Sequence, residues 1–190
     1  IQPNDWVLVQ AAAGGVGLML VQCARLRGGR VIGTVSNTAK AEAARAAGAD
    51  HTIVYTEQDF EVETMRVTDH QGVQVVYDGV GQTTFEKGLR TLRKRGHMVV
   101  YGQTSGGALP LDINRLSGIT ENSFSGSLTV TWAAASQHIE DRDDLLTCSQ
   151  AVFDLIADER LTVKIAERLP LHRAADAHRL LESRQVAGKV

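Results

Sequence analysis

The stretch Ala11-Ala12-Ala13-Gly14-Gly15-Val16-Gly17 constrains this chain more than any other. It follows an apolar run, Trp6 to Gln10, and opens a helical pattern from about Val16 to Leu26. Strand, glycine turn and helix in that order make the first half of a βαβ unit that holds a dinucleotide. The fingerprint reads Ala12-x-Gly14-x-x-Gly17, with Ala12 where the usual first glycine stands. Gly14, beside Ala13, leaves the backbone bare so that a pyrophosphate can come close, and Gly17 lets the helix lie against the strand. The N–H groups of Gly15, Val16 and Gly17 point out of the helix start, where the helix dipole also favours negative charge.

The rest of the chain repeats the alternation. Strands are expected at Arg30–Val35, His51–Val54, Val73–Tyr77, His97–Tyr101 and about Phe124–Val130. Helices are expected at about Thr38–Ala47, Thr56–Thr68 and Thr83–Leu92. Such an order predicts an α/β fold: a Rossmann-type, doubly wound, mostly parallel six-stranded sheet. At 190 residues the chain suits one domain or slightly more. After about residue 140 the pattern changes. A long amphipathic helix over Asp141–Ala157, an alternating stretch over Leu161–Ile165 and a helix over His172–Ser183 follow. The expected division is therefore 1–140 for the dinucleotide domain and 141–190 for a separate C-terminal segment.

The end of the second strand selects among dinucleotides. Enzymes that use NAD usually carry an acid there for the ribose 2′-hydroxyl. Here the region is Thr34-Val35-Ser36-Asn37, with no acid to repel a 2′-phosphate. Ser36 can donate a hydroxyl, Lys40 can meet the phosphate as a point charge, and Tyr55 follows the third strand. NADPH is the expected cofactor. Ligands of open α/β sheets sit beyond the strand carboxyl ends. Small residues there, Gly79-Val80-Gly81, Gly102-Gln103-Thr104 and Ser127-Leu128 on the sixth strand, would let the nicotinamide half lie near backbone. Asp78 is expected to bond nearby backbone or ribose and is assigned no chemistry.

Other function classes find little support. A net charge of −2 and a pI near 6.3 disfavour nucleic acid as the main partner. No apolar run is long enough to span a membrane. Cys23 and Cys148 form no C-x-x-C pair and are expected to be reduced thiols of a cytoplasmic protein. The six histidines pair with no cysteine or carboxylate at a ligand spacing, so no metal site is expected. A nucleophile elbow, G-x-S-x-G, is missing. A core strand that starts at Trp6, and a strand just beginning at Gly188-Lys189-Val190, are what an excised piece of a longer chain would show.

Three stretches carry a resemblance: the glycine turn, Gly33-Thr34-Val35-Ser36 with Lys40, and Val76-Tyr77-Asp78-Gly79-Val80-Gly81. They resemble the zinc-independent quinone oxidoreductases, the ζ-crystallin-like group of the medium-chain dehydrogenase/reductase superfamily. The similarity runs on through Gly126-Ser127-Leu128-Thr129-Val130-Thr131 and Leu181-Glu182-Ser183-Arg184. It implies an NADPH-dependent, two-domain enzyme in which a GroES-like catalytic domain precedes the cofactor domain and receives the chain again after it. It also implies 2′-phosphate contacts at Ser36, Lys40 and Tyr55, and nicotinamide-side contacts near Tyr101, Gly102 and Gln103. Hydride would pass to a quinone or an enone, and two copies would pair through an edge strand near Ser125–Val130. The catalytic donor stays unassigned, and the 190 residues alone are expected to turn over weakly. Two alternatives stay open: an enoyl or other alkene reductase, including a synthase module, and a non-catalytic NADPH-binding sensor. A methyltransferase is disfavoured by the same missing acid.

Overall fold

The computed structural model describes residues 1–107 and 110–190. Of the loop expected between Ser105 and Pro110, residues 108 and 109 lie outside the described ones.

Six strands form one sheet: β1 (Trp6–Val9), β2 (Arg30–Val35), β3 (His51–Val54), β4 (Val73–Asp78), β5 (Leu92–Val100) and β6 (Thr129–Trp132). Their order is β3-β2-β1-β4-β5-β6, and every neighbouring pair is parallel. This is the doubly wound order, with its reversal between β1 and β4. Helices α1 (Gly15–Leu26), α2 (Thr38–Ala46), α3 (Phe60–Val67) and α4 (Phe85–Thr91) alternate with the strands. Then come α5 (Ala135–His138), α6 (Arg142–Ala157) and α7 (Ala174–Glu182), with 3-10 turns at Ile113–Leu116 and Leu171–Arg173.

A parallel sheet must be covered on both faces, so its strands are apolar throughout rather than alternating. Successive side chains of β1 show the result. Val7 and Val9 join Val21, Val31, Val35 and Ala44 in one core layer. Leu8, between them, joins Ile32, Ile53, Phe60, Leu89 and Met98 in the other. All three β1 residues are fully buried. Each such side chain contributes about 1.5–3 kcal/mol relative to exposure.

Several boundaries differ from expectation. β5 begins at Leu92, five residues early, because Arg95 takes a left-handed turn (φ 63°) that lets the charged run Arg93-Lys94-Arg95 pass through the strand. The register shift between Val73 and Val75 falls opposite this irregularity. α3 begins at Phe60 rather than Thr56. Its N-cap is Asp59, which accepts from Glu61 N at 2.9 Å, while Glu57 N and Gln58 N fold back on Val54 O.

Two expected strands need correction. Phe124–Leu128 is a bend, with Gly126 at φ 112° and Ser127 at φ 50°. Phe124 and Leu128 are buried as expected of core residues, yet Ser127-Leu128 lies before β6, not on it. The exposed edge is Thr129–Trp132, which displaces the expected pairing edge toward the C-terminus. Leu161–Ile165 makes no strand either; only Ile165 is paired, in an isolated bridge to Lys189.

Candidate functional site

A cleft of about 1200 Å³ opens at the carboxyl ends of β1 to β4, where the strand order reverses. The glycine turn forms its floor. Ala11 enters it at φ 51°, and Gly14 N–H closes it on Ala11 O at 2.9 Å. Thr34 braces it from β2. Ala12 N–H donates to Thr34 O at 2.9 Å, and Ala11 N–H donates to Thr34 Oγ1 at 3.2 Å. The first helical bond of α1 runs from Leu18 N–H to Gly14 O. The N–H groups of Gly15, Val16 and Gly17 are thus without a helical partner. A Cβ on Gly17 would stand 2.8 Å from Ala12 Cα, so only glycine lets α1 lie this close to β1. No acid occupies the first turn of α1.

Beyond β2, Asn37 caps α2 by accepting from Lys40 N–H at 2.9 Å. The cap fixes the first turn that carries Lys40. The Lys40 ammonium donates to the Arg184 carbonyl. Partial burial, then the Arg184 guanidinium, hold Lys40 below the ordinary lysine value. Ser36, Lys40 and Tyr55 line one wall together, with Thr56 Oγ1 donating to Ser36 O at 3.1 Å.

On the β4 side, Val80 lines the cleft. Asp78 is fully buried and holds the following turn, accepting from Val80 N at 2.7 Å, Gly81 N at 3.1 Å and Thr84 Oγ1 at 2.8 Å. Gly79 lies under the Tyr101 ring, and a Cβ on Gly102 would stand 2.8 Å from Gly79 O. Burial, then the Asp78 charge, push the Tyr101 phenol up to about 12.

Of the expected residues, Ala13, Gly14, Gly15, Ser36, Lys40, Tyr55 and Val80 converge on the cleft. Gly17 sits behind the turn as a packing position, and Val16 is half-exposed on the helix start. Gly79, Tyr101, Gly102 and Gln103 are not on its lining; they form a neighbouring cluster at the ends of β4 and β5. Sequence reasoning missed Gln10, Thr34, Thr104, Arg184 and Gly188, all of which line the cleft. Arg184 and Gly188 arrive from the chain's far end through long-range contacts. Gly188 N–H donates to Ala13 O at 2.9 Å, and Arg184 Nη2 to Thr104 O at 3.2 Å. No local pattern signals them, although Leu181-Glu182-Ser183-Arg184 belonged to the resemblance.

The site fits a dinucleotide on its own geometry. Its floor is a bare-backbone cradle, the end of β2 carries no acid and is met by Lys40 and Arg184, and its volume suits an extended ligand; Lys87, Glu57, Asp59 and Glu182 also line it. Gln10, 1% exposed, accepts from Thr34 Oγ1 at 2.6 Å but has an Nε2 group with no partner in the protein. A buried donor of that kind wants an acceptor. Among the described residues, no group of three or more His, Cys, Asp or Glu could hold a metal. No helix among them is long and apolar enough to cross a membrane.

The family described as zinc-binding dehydrogenase matches residues 15–142. This chain belongs to that family. It corresponds to the cofactor-binding half of a medium-chain dehydrogenase/reductase, with which its sheet order and glycine turn agree. It is 40% identical over its whole length to a 2-haloacrylate reductase of a Burkholderia species, covering 56% of that protein. It is 39% identical to quinone oxidoreductase 1 of Escherichia coli, over 99% of this chain and 56% of the relative. The crystal structure of Escherichia coli quinone oxidoreductase complexed with NADPH superposes with a TM-score of 0.89 over 99% of this chain and 56% of that one. The chain thus spans about half the length of these relatives.

Proposed function

We propose that this chain is the NADPH-binding part of a zinc-independent reductase that passes hydride to a quinone or a similar electron-poor acceptor. The observation that carries the reading is the end of β2. An acid is missing there, and Lys40 and Arg184 converge on the same wall of the cleft. Two cations and the missing strand-end acid suit a phosphate there.

Bound NADPH would supply the hydride chemistry. The chain's own residues bind and orient. The N–H groups of Gly15, Val16 and Gly17 hold the diphosphate; Ser36, Lys40 and Tyr55 hold the 2′-phosphate. Gly79, Val80, Tyr101, Gly102 and Gln103 border the nicotinamide end, where Tyr101, neutral below pH of about 12, offers a hydroxyl and a ring face rather than a charge. The acid that completes reduction is assigned to no residue of this chain. Because the relatives are nearly twice as long, turnover by these 190 residues alone is expected to be weak. Residues 1–140 act as the cofactor domain and 141–190 as the return toward a catalytic domain. Two copies pair through the exposed edge of β6, and the protein works in the cytoplasm.

A second reading, an alkene reductase acting on acrylate-like acceptors, is favoured by the 40% identity to a 2-haloacrylate reductase. Steady-state rates of the full-length protein with quinones and with activated alkenes separate the two. The cofactor reading is tested by calorimetric titration with NADPH and NADH. Lys40→Ala is expected to cost about 1.5–3 kcal/mol in NADPH affinity, the worth of a charge-assisted hydrogen bond. NADH affinity should stay within about twofold. Equal losses for both would refute the role of Lys40.

A further inference from the structure

We propose that Lys189 is a ligand of the cofactor's diphosphate, a cation of the pyrophosphate cradle that the glycine turn alone does not supply. The inference rests on the dinucleotide reading above and adds a residue to it.

Three observations place Lys189 there. Its stem lies across Gly15: a Cβ on that residue would stand 2.5 Å from both Lys189 Cδ and Cε, and 3.0 Å from Nζ. The ammonium therefore sits over the first residue of α1, beside the partnerless N–H groups. Its backbone is pinned on both sides. Gly188, paired with Gly14 in a parallel bridge, donates to Ala13 O at 2.9 Å. Lys189 N–H donates to Lys164 O at 2.9 Å, and Ala166 N–H donates to Lys189 O at 2.8 Å. Finally, among the described residues Lys189 forms no ion pair.

The electrostatics ask for an anion. A helix N-terminus is a positive pole, and a cation beside it is in an unfavourable field. The first turn of α1 carries no acid that would offset it. A diphosphate between the N–H groups and the ammonium satisfies both, with charge-assisted bonds on each side. The buried, unpartnered Nε2 of Gln10, on the cleft that Gly15 lines, is an independent sign that a polar ligand completes this floor. Glycine at position 15 gains a second purpose: it is the seat of the lysine stem.

The position separates Lys189 from Lys40. The diphosphate is common to NADPH and NADH, whereas the 2′-phosphate belongs to NADPH alone. In the full-length protein, Lys189→Met keeps a stem over Gly15 and removes the charge. It is expected to weaken NADPH and NADH alike, each about tenfold. The preference between them should not move, the salt dependence of binding should become shallower, and Lys189→Arg should restore affinity. Thermal melts of the cofactor-free variants check that the fold persists. Unchanged affinity of Lys189→Met for both cofactors overturns the proposal. So does a loss confined to NADPH, which would move the charge to the 2′-phosphate. An equal loss that Lys189→Arg fails to restore overturns it too, since packing would then be responsible. If the wild type binds neither cofactor, it is the dinucleotide reading that falls.

Discussion

Glycines at the ends of β1 and of β4 look alike in sequence and do opposite things. At β1, Gly14 and Gly15 line a cleft, where bare backbone leaves N–H groups open to a ligand even though the Lys189 stem rests on Gly15. At β4 and its neighbour β5, Gly79 faces the Tyr101 ring, and Gly102 faces Gly79. Their bareness lets two strand ends close on each other. A missing side chain is therefore a statement about close approach, and only the neighbour says whether a ligand or the protein itself approaches.

The contrast can be broken from either side. The largest effect is expected at Gly17, which belongs to the packing class although it sits in the ligand-binding turn. Gly17→Val would drive α1 away from β1, at a cost of about 3 kcal/mol for overpacking a fixed backbone contact, and dinucleotide binding should disappear with it. Denaturant melts with and without NADPH measure both. A Gly17→Val protein with wild-type stability would dissolve the distinction between the two classes.

A smaller loss is expected at Gly102→Ala, about 1–3 kcal/mol, because its new methyl meets Gly79 O. The β4–β5 ends should open, and Tyr101 should lose its seat. Loss of fluorescence or exchange protection around Tyr101 would show it. Unaltered stability would instead mark Gly102 as a ligand-facing glycine of the β1 kind.

The mildest effect is one of pH, and it acts on the adenosine side only. Burial and Arg184 lower the Lys40 pKa from its ordinary 10.5. A bound phosphate favours the charged ammonium and raises that pKa again. NADPH binding should therefore be strongest below the cofactor-free Lys40 pKa, take up protons near it, and weaken as pH rises through the bound-state value. A change of a few fold is expected, one pKa unit being worth about 1.36 kcal/mol. NADH should show none of it, and Lys40→Arg should remove it. An identical alkaline decline for both cofactors would detach Lys40 from the 2′-phosphate.

How much of this was legible in the sequence depends on how local the cause was. Strands buried on both faces, such as Val73–Asp78, announce themselves as apolar runs. The glycine turn and the acid-free end of β2 were equally plain, since the residues that act are neighbours in the chain. Two kinds of feature were hidden. A left-handed Arg95 carried β5 through a charged run that resembles a loop, and the Gly126-Ser127 bend broke an apolar stretch that resembles a strand. Arg184, Gly188 and Lys189 were hidden for a different reason: nothing near them in sequence reveals that they return to Lys40, Gly14 and Gly15. Gln10 reads as the polar end of a strand until its partnerless amide is seen inside the cleft.

The pairing of Gly14 with Gly188 has a consequence for the order in which this domain is made. A ribosome delivers the turn at Gly14 well before Gly188, the residue that braces it. The sheet can assemble in the interval, but its cradle stays open on one side. Competence to hold a cofactor thus arrives after the sheet, as a closing step, and the ligand becomes a reporter of the docked bracing segment.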